Sequence, residues 1–203
     1  MPACRMQRSA PSEIITDFLW LSSANSALDE SVVGDLGITH IVNATNRCVP
    51  NMYEKNGVAY LNVDIDDDES ASISSHFKSV EEFLNTAQSS STTLNPSRCL
   101  VHCMVGVSRS ATLVIAYLML RSSSPSLREI FNDVKSRREI IAPNPRFARE
   151  LMQLELELNE TLSQNTITEE EMISPNYRRS QNNAIEARKV LDGLSSRSTC
   201  SVS

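Results

Sequence analysis

Val101 His102 Cys103 Met104 Val105 Gly106 Val107 Ser108 Arg109 Ser110 stands between two apolar blocks, and that placement decides the fold. Residues 99–102 read as a short buried strand. Residues 110–121 hold an apolar block too continuous for a surface helix, which predicts a central, buried one. Where a strand turns into a helix, the backbone N–H groups and the helix N-terminus converge on one concavity suited to a dianionic oxyanion. A cysteine at its entrance feels the same positive potential, which favours the thiolate, so Cys103 is a candidate nucleophile. Arg109 can fold back and offer a two-pronged guanidinium to phosphoryl oxygens, and Gly106 lets the backbone turn without a side chain in the way.

Working outward, the chain alternates strands and helices from about residue 13 to residue 159. Residues 18–21, 38–43 and 58–63 read as strands, and Ala24, Leu28, Val32 and Leu36 as one helix stopped by Gly37. Ile73, Phe77, Val80, Leu84 and Ala87 share a helical face. Ser124 with Pro125, and Asn144 with Pro145, predict the starts of two further helices, a capping side chain followed by proline. Such alternation implies an α/β fold with a central, mainly parallel sheet covered by helices on both faces. Residues 1–10 form an expected flexible N-terminus and residues 11–160 a single folded domain. Residues 161–203 turn polar, with too few apolar side chains for a core, and are expected to be mostly disordered.

The 203 residues carry 19 Lys+Arg against 25 Asp+Glu, a formal net charge of −6, so no bulk positive field exists to hold nucleic acid or an anionic bilayer. Phosphate recognition must then be local. No apolar run approaches the roughly 20 residues of a membrane span, and no signal peptide is expected. Five cysteines without paired spacing predict reduced thiols and an intracellular setting. Cys99, His102 and Cys103 lack a second ligand pair for a metal, and residues 64–69 lack the glycine and the final acid of a calcium loop. No cofactor and no metal are expected.

Expelling an alkoxide or phenolate also needs a proton donor. Asp64, Asp66, Asp67, Asp68 and Glu69 follow the strand ending at Val63, on the sheet edge where a phosphate loop opens, so one of them can reach the site.

His102-Cys103, five residues, then Arg109-Ser110 resembles the signature of the cysteine-dependent protein phosphatases. Together with residues 60–77 and 138–147, the chain resembles the small, atypical dual-specificity phosphatases over about residues 11 to 160. The resemblance implies a sheet of about five strands, in agreement with the alternation above. It places the general acid on Asp67, with Asp66 or Asp68 if the loop shifts. It implies that Cys103 attacks phosphorus, that Arg109 and the N–H groups of Met104, Val105, Gly106, Val107 and Ser108 bind the phosphoryl group, and that Ser110 eases departure of the thiolate. His102 and Asn144 are expected to support the loop, with His102 pointing away from it. The implied substrates are phosphotyrosine and phosphoserine or phosphothreonine in proteins, mitogen-activated protein kinases being a family-level expectation. The uncharged loop lacks the lysines common in lipid phosphatases of the superfamily, and a phosphoprotein-binding module without activity usually lacks the cysteine.

Cys48 stands near the strand ending at Asn43, where a disulfide with Cys103 is weighed against a plain loop cysteine. The final residues, Cys200 Ser201 Val202 Ser203, fit a prenylation pattern, so Cys200 is a lipidation candidate. The expected location is cytoplasmic and nuclear, with membrane association where Cys200 is prenylated.

Overall fold

The computed structural model describes residues 10–159 and 166–173. Five strands form one sheet in the order β1-β2-β5-β3-β4. They are β1 (Ser12–Ile15), β2 (Leu19–Ser23), β3 (His40–Asn43), β4 (Ala59–Asn62) and β5 (Cys99–Cys103). β1 runs antiparallel to β2, and every other pairing is parallel. The parallel strands therefore end on one edge, at Ser23, Asn43, Asn62 and Cys103, and the loops that follow them gather there.

Alternate residues of each strand face opposite sides, which divides the core in two. Leu19, Leu21, Val42, Cys99 and Val101 join the larger cluster, whereas Trp20, Ile41 and Leu100 join a smaller one. Over the smaller face lie α1 (Ala24–Ala27) and α2 (Glu30–Asp35), which contribute Ala27 and Val33 to it. The larger face carries α3 (Phe77–Ser90), α4 (Arg109–Leu120), α5 (Leu127–Arg137) and α6 (Pro145–Asn159). α4 packs against β5 and against α3, α5 and α6, and ten of its twelve residues are buried. That surrounding explains its continuous apolar sequence and fixes its N-terminus behind the loop after β5.

The structure corrects several expected boundaries. The single helix expected over residues 24–36 breaks at Leu28, because the Asp29 carboxylate accepts hydrogen bonds from the Ser31 and Val32 N–H groups and starts a new helix. α5 is capped by Ser126, whose hydroxyl accepts from Glu129 N, rather than by Ser124. β1 lies in a stretch read without any element. Residues 166–173 are ordered rather than loose: a short α7 (Glu169–Met172) packs on α6, burying Ile167, Met172 and Ile173. Arg128 holds this segment with two bonds to Glu171, 2.8 and 2.9 Å, and the Thr166 hydroxyl bonds to the fully buried Glu155. Cys200, Ser174 with Pro175, and the transient turns expected in residues 185–194 lie outside the described residues. No helix among the described residues is long and apolar enough to cross a membrane.

Candidate active site

Cys103 ends β5, and the loop 104–108 carries the chain from it into α4. The loop can turn this tightly because Gly106 takes φ +74°, in the left-handed region, where a Cβ would stand 2.5 Å from the Ser22 carbonyl oxygen and 2.6 Å from Arg138 Nη2. Two donors reach the Cys103 sulfur, the Gly106 N–H at 3.2 Å and the Ser110 hydroxyl at 3.2 Å. Both stabilise a negative sulfur, one from the loop and one from the first turn of α4, whose dipole acts in the same sense.

Above the sulfur opens a cavity of about 330 Å³ lined by Asp67, Cys103, Val105, Val107, Ser108, Arg109, Ala142 and Asn144. Arg109 is nine-tenths buried. Its Nη1 donates to the Ile65 carbonyl at 3.2 Å, which anchors the guanidinium plane. Its Nε has no hydrogen-bond acceptor, and Asp67 Oδ2, at 3.8 Å, is too distant to be one. A buried donor left open beside a cavity is costly unless an anion fills it.

The five upstream acids separate by geometry. Asp64 pairs with Arg47 at 2.6 Å, Asp66 accepts from Asn46 at 2.8 Å, and Glu69 meets Arg149 at 3.5 Å. Asp68 is turned into its own loop by bonds from Ser70 and Ala71, and the Ser70 hydroxyl first among them holds its carboxyl below the usual carboxylate range. Asp67 alone of the five lines the cavity. Its Oδ1 accepts two bonds, from the Ser108 hydroxyl at 2.7 Å and from Asn144 Nδ2 at 2.9 Å, which leaves Oδ2 as the less engaged oxygen.

Asn144 is a junction. Its Nδ2 holds Asp67, its Oδ1 accepts the Phe147 N–H at 2.9 Å and so caps α6, and its own N–H donates to Ser108 Oγ at 3.1 Å. The start signal of a helix therefore also orients a carboxylate of the site. His102 is buried with its Nδ1 unpartnered; burial pushes the imidazole down to about 4, and a backbone hydrogen bond at Cys103 opposes that shift only in part. It does not line the cavity.

Two of the expected loop residues do not line the cavity. Met104 faces solvent and binds through its carbonyl to Ala24 N at 3.3 Å, and Gly106 acts by its N–H and its conformation. Two residues went unread. Ala142 lines the cavity, its N–H fixed to the Val107 carbonyl at 2.9 Å, and Arg138 lies buried beneath the loop. The charge of Arg138 gave no sign of burial, since adjacent Arg137 is exposed and paired with Asp133. Cys48 is exposed, its sulfur facing the Asn46 carbonyl, and it does not line the cavity. The Cys99 thiol, buried at the far end of β5, is pushed up to about 12 by that burial.

The family model for the dual specificity phosphatase catalytic domain matches residues 19–157. The chain belongs to this family. Among curated dual specificity phosphatases, it is 41% identical over 147 residues to dual specificity protein phosphatase 26 of Bos taurus, covering 71% of this chain and 67% of that one. To dual specificity protein phosphatase 1-A of Xenopus laevis it is 38% identical over 148 residues, 73% of this chain. That match spans only 38% of the relative's length. The crystal structure of human DUSP28 superposes with a TM-score of 0.62 at 30% identity, covering 74% of this chain and 98% of that one. The dual specificity phosphatase match includes the strands β2 to β5, the loop with Cys103 and Arg109, Asp67, and most of α6.

Proposed function

We propose that this chain is a protein phosphatase that hydrolyses phosphotyrosine and phosphoserine or phosphothreonine through a cysteinyl-phosphate. The observation that carries the proposal is the joint placement of Cys103, Arg109 and Asp67 on one cavity, with two donors already aimed at the sulfur. In the first step the Cys103 thiolate attacks phosphorus. The S–P bond forms, the P–O bond to the side chain breaks, and Asp67 gives its proton to the departing oxygen. In the second, Asp67 takes a proton from water, the water oxygen bonds phosphorus, and the S–P bond breaks to release phosphate and the thiolate. Ser110 stabilises that thiolate by its hydroxyl. The open Nε of Arg109 and the N–H groups of residues 104–108 receive the phosphoryl oxygens in transit, a positioning and electrostatic role. Asp67 Oδ2 is the oxygen assigned to carry the proton, since Oδ1 already accepts two bonds.

Phosphorylated proteins are the proposed partners, and signalling kinases, mitogen-activated protein kinases among them, are the group to assay first. A cytoplasmic and nuclear location belongs to the same proposal. The test is hydrolysis of an aryl phosphate and of phosphotyrosine and phosphothreonine peptides under reducing conditions. The parent turns over, Cys103→Ser does not, and Asp67→Ala is slower by roughly 10²-fold or more. A folded but inactive parent overturns the proposal and leaves a phosphoprotein-binding module.

A further inference from the structure

Arg138 is 5% exposed, yet among the described residues no carboxylate pairs with it. Its partners are backbone carbonyls and a hydroxyl. Nε donates to the Gly106 carbonyl at 2.8 Å, Nη2 to the Val105 carbonyl at 3.5 Å, and Nη1 to the Ala10 carbonyl at 3.1 Å and Ser12 Oγ at 3.4 Å. A buried cation without a counter-ion is expensive, and such groups persist where they serve a site. Burial pulls this guanidinium below the ordinary arginine range, and the one charge that acts against the shift is that of Cys103.

The geometry of the loop gives the reason. A peptide unit that points its carbonyl toward Arg138 points the opposite N–H toward the cavity, because the two groups are antiparallel across a planar bond. The carbonyls of Val105 and Gly106 belong to the peptide units whose N–H groups are those of Gly106 and Val107. The first of these is the donor seen on the Cys103 sulfur. A Cβ at residue 106 would stand 2.6 Å from Arg138 Nη2, so glycine and guanidinium are fitted to each other. Through Ala10 and Ser12 the same side chain ties the loop to the entry of β1.

We propose that Arg138 is a positioning residue of the phosphate loop: by holding the Val105 and Gly106 carbonyls outward, it keeps the loop N–H groups aimed at the bound oxyanion. This rests on the phosphatase reading of the site, but the test does not require turnover. Tungstate, a tetrahedral oxyanion, serves as the probe, its affinity measured by calorimetry on the full chain for the parent, Arg138→Met, Arg138→Lys and Leu154→Ala. Leu154→Ala is a destabilised control in α6, away from the loop. Because a shift of about 1 Å in a preorganised site costs on the order of 10²-fold, Arg138→Met weakens tungstate by roughly 10- to 100-fold. Leu154→Ala keeps the parent affinity. Arg138→Lys retains the charge but cannot span Gly106 and Ala10 at once, so it also binds at least fivefold more weakly while its circular dichroism is unchanged. If Arg138→Met does not fold, Arg138→Lys decides. A folded Arg138 variant within fivefold of the parent, or an equal loss in Leu154→Ala, overturns the assignment. A parent that binds tungstate but hydrolyses nothing sinks the phosphatase reading and leaves the role of Arg138 standing.

Discussion

Replacing Asn144 separates two jobs that one side chain performs. Asn144→Ala removes the cap of α6, worth about 1 kcal/mol, and the bond to the Asp67 carboxylate. Bonds to charged groups contribute about 1.5–3 kcal/mol, and the lower end applies because Asp67 keeps the Ser108 hydroxyl and a side chain one-third exposed. The sum is roughly 2.5 kcal/mol, or a fall in Tm of about 5–10 °C for a domain of this size. Asn144→Ser restores a capping oxygen but is too short to reach Asp67, so it recovers the cap and not the carboxylate bond. If Asp67 delivers the proton, both variants lose about tenfold in kcat/KM, the rate equivalent of about 1.4 kcal/mol, on an aryl phosphate with a poor leaving group. Neither loses more than about twofold in kcat/KM, which ends at formation of the cysteinyl-phosphate, on a substrate whose leaving group departs unprotonated, where the acid has nothing to add. The assay is steady-state kinetics over a leaving-group series beside thermal melts of the same samples. Equal losses of kcat/KM across the series, or recovery of kcat/KM in Asn144→Ser in step with Tm, would show that Asn144 acts only through the helix.

Other expectations follow from single contacts. Gly106→Ala forces a left-handed residue to carry a Cβ 2.5 Å from the Ser22 carbonyl, so it loses stability by about 1–3 kcal/mol and most of its turnover; denaturant melts and kinetics equal to the parent would contradict the close approach. His102 titrates near 4 when folded against 6.5 when free, so between those values the unfolded chain binds a proton the folded one refuses. Stability tied to His102 is complete above pH 6.5 and falls as pH drops toward 4, by at most about 3 kcal/mol. Urea melts of His102→Asn should show a shallower decline over that window, and a slope equal to the parent's would remove His102 as its source. Met172→Ala, which removes the buried side chain of α7, costs about 2–4 kcal/mol, and an unchanged melting curve would mean that residues 166–173 do not dock in solution.

The sheet and the loop were legible because each rests on local signals that tertiary context reinforces. The block after Ser110 is apolar on every face because α4 is enclosed by β5 and three helices. Cys103, Gly106 and Arg109 carry their spacing in the chain itself. The acid was narrowed only to a run, since five neighbouring carboxylates look alike until Arg47, Asn46, Ser70 and Arg149 draw four of them away. The break in the first predicted helix followed from Asp29 competing for the Ser31 and Val32 N–H groups, a contact shorter than the apolar period that concealed it. Ser126 followed by Glu129 was a readable cap, masked by the stronger proline signal one residue earlier. Ile167, Met172 and Ile173 are too few to predict a folded segment, and they are buried because α6 supplies the other half of the contact. Arg138 lay beyond sequence reading altogether, because three of its four acceptors are carbonyls, which every residue possesses.

The claim on which the rest depends is covalent transfer of phosphate to Cys103. Rapid acid quench of the chain during turnover of a phosphopeptide, followed by mass spectrometry of the peptide holding Cys99 and Cys103, tests it directly. The account predicts one added phosphoryl group, located by fragmentation on Cys103, more abundant in Asp67→Ala if the second step is slowed more than the first, and lacking in Cys103→Ser. Turnover with no phosphoryl group on Cys103 in either the parent or Asp67→Ala, or undiminished turnover by Cys103→Ser, would contradict it.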